Sequence, residues 1–319
     1  MNHDLAEAEL TTGPGPQRMT GPGHATVRRL AAASVVLNLM LLVSGGVVRL
    51  TDSGLGCPTW PRCTDASLVT TPEMGLHGTI EFGNRLIGVA LELVAIALIV
   101  ATVRARSPRA WRRLAAAQAL AVPAQAVVGG LLVLTDLNPY VRALHFLNSF
   151  PLLLAALALL HRTKDDIGRR AIPVRRELRL LTAGLLATTS VVLVLGTLVT
   201  GTGPHGGDPQ ADRLPLAPDT LTQIHTDLVY LLLGLTLATA VAARALHAPQ
   251  PVQRGITITI ALIAGQGVLG HAQYHAGVPP LLVGLHMLGA GLVFCAAAWT
   301  HLRTHEWPIE LTSAGKRSA

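Results

Sequence analysis

Charge is what this sequence has least of. Only 13% of its 319 residues are Asp, Glu, Lys or Arg, while 50% are hydrophobic; a soluble domain carries about 25% charged residues. That scarcity argues against a soluble enzyme and for a polytopic membrane protein. The net charge of +7 does not mark a nucleic-acid binder, because the basic residues cluster in short loops between apolar runs. Cysteine is scarce too. There are three, none in a Cys-x-x-Cys-His motif, which excludes covalent c-type haem attachment. No Cys-rich or carboxylate-rich cluster suggests a metal centre. A cleavable signal peptide is also missing: the first 25 residues are polar and rich in Gly and Pro, and read as a disordered tail.

What is present is a series of long apolar runs. A membrane helix needs about 20 such residues. Eight runs qualify, at 30–50, 80–103, 113–134, 141–161, 178–200, 221–243, 255–271 and 281–301. Backbone in lipid must satisfy its own hydrogen bonds, so these are expected to be helices. All but five of the 25 Lys and Arg fall in the N-terminal tail, segments 104–113, 162–179 and 244–254, and the C-terminal tail. The five on the other side are Arg49, Arg62, Arg85, Arg142 and Arg213. Positive charge marks the cytoplasmic side, so both termini are expected there, with Trp111, Trp299 and Trp307 near the inner boundary.

The chain also resembles itself. Shifted by 141 residues, Gln125 falls on Gln266, Gly129 on Gly270, His145 on His286, and Asn84 on His225. At a different offset, SGGVVRLTDSG from Ser44 matches LGTLVTGTGPH from Leu195. The economical reading is an all-α integral membrane protein whose eight transmembrane helices form two pseudosymmetric four-helix bundles. The expected layout is a tail at 1–27, an N-terminal half at 28–162, a cytoplasmic linker at 163–177, a C-terminal half at 178–303 and a tail at 304–319.

Asn84, His145, His225 and His286 then occupy one repeated position near the outer ends of the even-numbered spans. An ionisable side chain inside a membrane is costly and marks a functional site by default. Imidazole there serves as proton relay, metal ligand or haem ligand, or simply bonds helix to helix. His225 and His286 form a pair able to hold a macrocycle between them. The first half offers His145 with Asn84 opposite, and an amide is a poor iron ligand. One six-coordinate haem and one site with a weak or open ligand position are expected.

The stretch IEFGNRLIG, residues 80–88, adds Glu81 and Arg85 to this layer. Glu81 is a candidate general base, or a partner of Arg85 at i+4. His77 lies on the same helical face and either supplies the missing imidazole or is an exposed loop residue. Arg49, Arg85 and Arg142 suit haem propionates or lipid headgroups. His271 and His275 are one turn apart if the seventh helix persists. They read as a metal or second-shell pair, or as part of a polar loop. His205 is expected to be solvated. His161, His247, His301 and His305 lie among the basic cytoplasmic loops without assigned chemistry. Cys57 and Cys63 bracket an outer loop and suit a structural disulfide; Cys295 reads as packing.

These residues resemble the haem A synthase family. GGVVRLTDSGLGCPTWPRC, followed by IEFGNRL and single histidines on the fourth, sixth and eighth spans, carries the resemblance from about residue 28 to 303. The two-cysteine loop looks like the Gram-positive type. The resemblance implies an eight-helix enzyme of the cell membrane that oxidises a ring methyl of haem O to a formyl group by successive hydroxylations. It implies haem b as cofactor between His225 and His286, substrate haem near Glu81, Asn84 and His145, and a disulfide between Cys57 and Cys63. The family's Glu-x-x-His-Arg motif reads Glu81-Phe82-Gly83-Asn84-Arg85 here, so the histidine is absent. Implied partners are the farnesyl-transferring haem O synthase, membrane lipid and a quinone or other electron acceptor, with homo-oligomerisation open and no nucleic acid. Competing readings are an electron-transfer b-type cytochrome, a haem carrier and a proton-coupled transporter.

Overall fold

The computed structural model describes residues 22–164 and 174–305. Most of the two tails and the linker therefore lie outside the described residues. Within them every regular element is a helix. They are α1 (Pro22–Leu50), a 3-10 turn (Pro72–Met74), α2 (Gly75–Arg104), α3 (Arg109–Leu134), α4 (Pro139–Leu147), α5 (Ser149–Lys164), α6 (Arg176–Thr202), α7 (Pro218–Ala245), α8 (Gln250–His275) and α9 (Pro280–Leu302). Eight of the resulting spans are long and apolar enough to cross a membrane, with α4 and α5 together making the fourth. This is a multi-pass membrane protein.

Helix ends depart from the sequence expectation in three places. α1 begins at Pro22, so residues 22–27 belong to a helix and not to the tail; proline suits a first helical turn, where its missing N–H has no partner to lose. The seventh span, shortest in apolar length, is a 26-residue helix reaching His275. The fourth span is interrupted at Asn148. Pro151 has no N–H for the Leu147 carbonyl, which explains the break. Asn138 caps α4, accepting the amides of Tyr140 at 3.0 Å and Val141 at 3.4 Å.

Each half closes on itself. α1 packs on α2 and α5, with α3 closing the ring between α2 and α5; α6 packs on α7 and α9, with α8 between α7 and α9. The halves meet where α1 and α5 pack on α9. That seam holds a shared core of Leu42, Phe150, Leu153, Leu157, Leu193, Phe294 and Ala298. Lipid gives no hydrophobic drive for helices to associate, so small residues and close packing matter most. Gly46 of α1 faces Met287 and Gly291 of α9 faces Leu42. Buried threonines are satisfied within their own helices: on α6, Thr189 donates to the Leu185 carbonyl and Thr197 to that of Leu193, at 2.8 and 2.7 Å.

Candidate functional site

Three of the four repeat-related positions are built alike. The His145 ring lies on Gly129 of α3, His225 on Gly196 of α6 and His286 on Gly270 of α8; a Cβ added to those glycines would sit 3.0, 3.1 and 3.1 Å from the respective imidazole Cε1. Each ring is half-buried; the Nδ1 atoms of His145 and His286 are buried without a hydrogen-bond partner, while the His225 ring has the Val192 backbone carbonyl beside it. Buried polar atoms are nearly always paired, so the unpaired imidazoles of His145 and His286, at equivalent places in the two halves, are fitted to a ligand. His225 on α7 and His286 on α9 lie on helices across the C-terminal bundle from each other, with α6 and α8 packed against both. A pair of neutral imidazoles on facing helices is the donor set that a six-coordinate haem takes. The residues present therefore fit a haem between α7 and α9.

The first half departs from the pattern at one corner. The register that places Ser44 on Leu195 places Gly45 on Gly196, yet nothing approaches Gly45 within 4 Å. Asn84, in the histidine position, turns instead to Ser44, whose Oγ donates to its Oδ1 at 2.6 Å. An open groove of about 700 Å³ runs beside it, lined by Met40, Val43 and Ser44 of α1, Ile80, Gly83 and Asn84 of α2, and Leu288 of α9 among others. Its wall is apolar except for Ser44, Asn84 and Thr79. His145 and Glu81 are not among its lining residues. The His145 carbonyl, at the break before α5, accepts Gln125 Nε2 at 2.6 Å, which ties this ligand position to α3.

Glu81 is 5% exposed. Its Oε2 accepts the Cys57 amide at 2.7 Å, and its Oε1 meets Arg85 Nη2 at 2.6 Å. Arg85 also donates to the carbonyls of Cys57, Thr59 and Arg62, at 3.2, 3.1 and 3.2 Å. The i+4 pair expected from the sequence exists, and it clamps the outer loop to α2. The Cys57–Cys63 disulfide closes that loop, with Cα atoms 4.4 Å apart and both cysteines fully buried. Trp60 at the loop's tip lies directly on Gly130 of α3, where no Cβ would fit. Gly130 is the neighbour of the glycine under His145. Sequence reasoning missed Trp60; the signal available was its place between the two cysteines.

His77 is exposed and its Nδ1 lies 2.9 Å from Ser53 Oγ. Arg49 donates to the carbonyls of Thr200 and His205, the latter at 2.6 Å. Arg142 donates to those of Gly206 at 2.6 Å, Asp212 at 3.0 Å and Leu137 at 3.2 Å. These two arginines of the first half thus hold the α6–α7 loop of the second. Neither has a carboxylate partner among the described residues. His205 is half-buried rather than solvated: its Nε2 lies 2.8 Å from the Val278 carbonyl. The sequence did not flag Glu92, a carboxylate inside the α2 span whose Oε2 is buried and unpaired.

The chain matches the family model described as cytochrome oxidase assembly protein, COX15-CtaA, over residues 28–205. It is 29% identical over 287 residues to a heme A synthase of Symbiobacterium thermophilum, covering 84% of this chain and 90% of that protein. A heme A synthase of Exiguobacterium sibiricum is 33% identical over 178 residues, covering 54% of this chain and 59% of the relative. One of Lysinibacillus sphaericus is 32% identical over 189 residues, covering 53% and 56%.

Proposed function

This chain belongs to the COX15-CtaA family of cytochrome oxidase assembly proteins, and from that membership we propose that it is a haem A synthase acting on haem O. The observation that carries the reading is the threefold recurrence of an imidazole seated on a glycine, at His145, His225 and His286. A transporter using histidines for protons has no need of flat cradles beside them. A carrier of electrons alone has no need of a second, different site in the other half.

The C-terminal half is the cofactor half. His225 and His286 are the residues to hold haem b, which when bound supplies a one-electron carrier. The N-terminal half is the substrate half. His145 would hold the substrate iron, and Asn84, an amide, would supply no second imidazole. The apolar groove beside Asn84 suits the farnesyl chain of haem O. Arg49 and Arg142, neither of them ion-paired to a carboxylate among the described residues, supply positive charge for propionates. Glu81 lies one turn before Asn84 on α2 and takes protons as the ring methyl is oxidised to formyl through successive hydroxylations. His77, held by Ser53 at the start of the same helix, orders the entrance. Arg85 fixes Glu81.

With water as the source of the formyl oxygen, oxidising the methyl group releases protons and electrons, so an electron acceptor such as a quinone is required. Haem O comes from a farnesyl-transferring synthase. The charge bias supports a topology with both termini in the cytoplasm and the disulfide loop on the outer side of the cell membrane.

The test is chromatography of the haems extracted from detergent-purified protein, made in cells supplied with haem O, with a reduced-minus-oxidised spectrum. Haem B together with haem O or haem A is expected. Haem B alone, with haem O abundant, would favour an electron-transfer cytochrome, and absence of any haem would favour a transporter.

A further inference from the structure

Outside the haem positions, the imidazoles that stand apart are His271 and His275, on the last turn of α8. Both are exposed. Their ring centroids are 4.3 Å apart with planes at 69°. No hydrogen bond engages either ring among the described residues. Residues at i and i+4 share a helical face, and two histidines so spaced are a known way for one helix to grip a metal ion. The geometry suits a chelate. With metal–nitrogen bonds of about 2.0–2.1 Å, each imidazole centroid lies about 3.2 Å from the ion, so an angle near 90° at the metal separates the centroids by about 4.5 Å.

We propose that His271 and His275 form a bidentate site for a divalent transition-metal ion. Imidazole nitrogen without carboxylate selects against Mg²⁺ and Ca²⁺, and the stability order of divalent ions puts Cu²⁺ first, ahead of Zn²⁺ and Ni²⁺. No group of three His, Cys, Asp or Glu among the described residues is placed to hold a metal. Water or a second molecule therefore completes the coordination, and the ion stays exchangeable.

The site lies at the end of the bundle that carries the disulfide loop. The segment following α8 reaches His205 through the Val278 carbonyl, and His205 in turn accepts Arg49. The pair at the opposite end differs. His301 and His305 have centroids 4.6 Å apart, but His301 Nδ1 meets Thr182 Oγ1 at 3.1 Å and His305 Nδ1 meets the His301 carbonyl at 3.1 Å. Those nitrogens are already engaged.

The full-length protein in detergent is titrated with Cu²⁺ and followed by electron paramagnetic resonance. It is compared with the double variant His271→Ala/His275→Ala and with His301→Ala/His305→Ala. The proposal expects the first double variant to lose one equivalent of Cu²⁺, whose spectrum in the parent shows nitrogen coupling from two imidazoles. It expects the second to keep that equivalent, and His275→Ala alone to weaken it and to leave coupling from a single imidazole. Excess Zn²⁺ should displace it. Haem content serves as the folding control and should be unchanged in the first double variant, both side chains being exposed. Equal Cu²⁺ uptake by parent and first double variant, or coupling from a single imidazole in the parent, overturns the proposal while leaving the haem reading untouched.

Discussion

Glu81 Oε2 accepts the backbone N–H of Cys57 at 2.7 Å. A carboxylate proposed to serve chemistry on α2 is therefore also the anchor of the outer disulfide loop. The two roles separate by substitution. Glu81→Gln keeps an acceptor for the Cys57 amide but removes the negative charge facing Arg85. It should abolish haem A formation while the loop stays resistant to protease and the haem b spectrum persists. Normal haem A in Glu81→Gln would leave Glu81 with the anchoring role alone.

The glycine cradles make a graded prediction. Gly196→Val and Gly270→Val push directly on the rings of His225 and His286. Overpacking of this kind costs about 1–3 kcal/mol, and here the strain falls on the ligand. Both variants should lose the low-spin haem signal, as should His225→Ala and His286→Ala. Gly45→Ala meets nothing within 4 Å and should leave the spectrum unchanged, with stability altered by no more than about 1 kcal/mol. Optical spectra and thermal unfolding of the variants check both sides.

Asn84→His restores an imidazole at the fourth position. The open space at Gly45 offers the ring the same seat that Gly196 gives His225. The Ser44–Asn84 hydrogen bond is lost at a cost of about 1 kcal/mol. Protein loaded with haem O should gain a second low-spin component, read by magnetic circular dichroism. An unchanged spectrum would mean that the groove does not bring substrate iron to α2.

The disulfide should act chiefly on the loop. Replacing Cys57 and Cys63 with Ser is expected to destabilise by about 2–3 kcal/mol on the chain-entropy account and to expose the loop to protease. Since both cysteines are fully buried, thiol-reactive probes should label the reduced protein only after denaturation. Ready labelling of folded, mildly reduced protein would speak instead for thiol exchange in the native state.

Much of the architecture was legible in sequence for a simple reason. Lipid forbids unpaired backbone, so eight apolar runs had to be helices, and the charge-poor composition had no soluble alternative. The 141-residue offset exposed His145, His225 and His286 as equivalents because a repeat preserves the positions that bear chemistry. Glu81 and Arg85 were legible as a pair because i+4 spacing alone brings them together. Local spacing does not reveal what a side chain meets across a loop. Arg49 and Arg142 were read as partners of propionates or lipid headgroups; among their contacts are carbonyls of the end of α6 and the α6–α7 loop, more than a hundred residues away from Arg49 in sequence. Trp60 and Glu92 passed unnoticed, as did the break at Asn148.

The sequence by itself determined the membrane spans, their number, the repeat and the family, since these follow from hydrophobic length, internal similarity and a distinctive loop. Only the tertiary structure decided that the histidines rest on glycines, that Asn84 turns to Ser44 beside an open groove, and that Glu81 holds the disulfide loop. Those relations depend on which faces of separate helices meet, and in a membrane that is settled by close packing between helices rather than by hydrophobicity along any one of them.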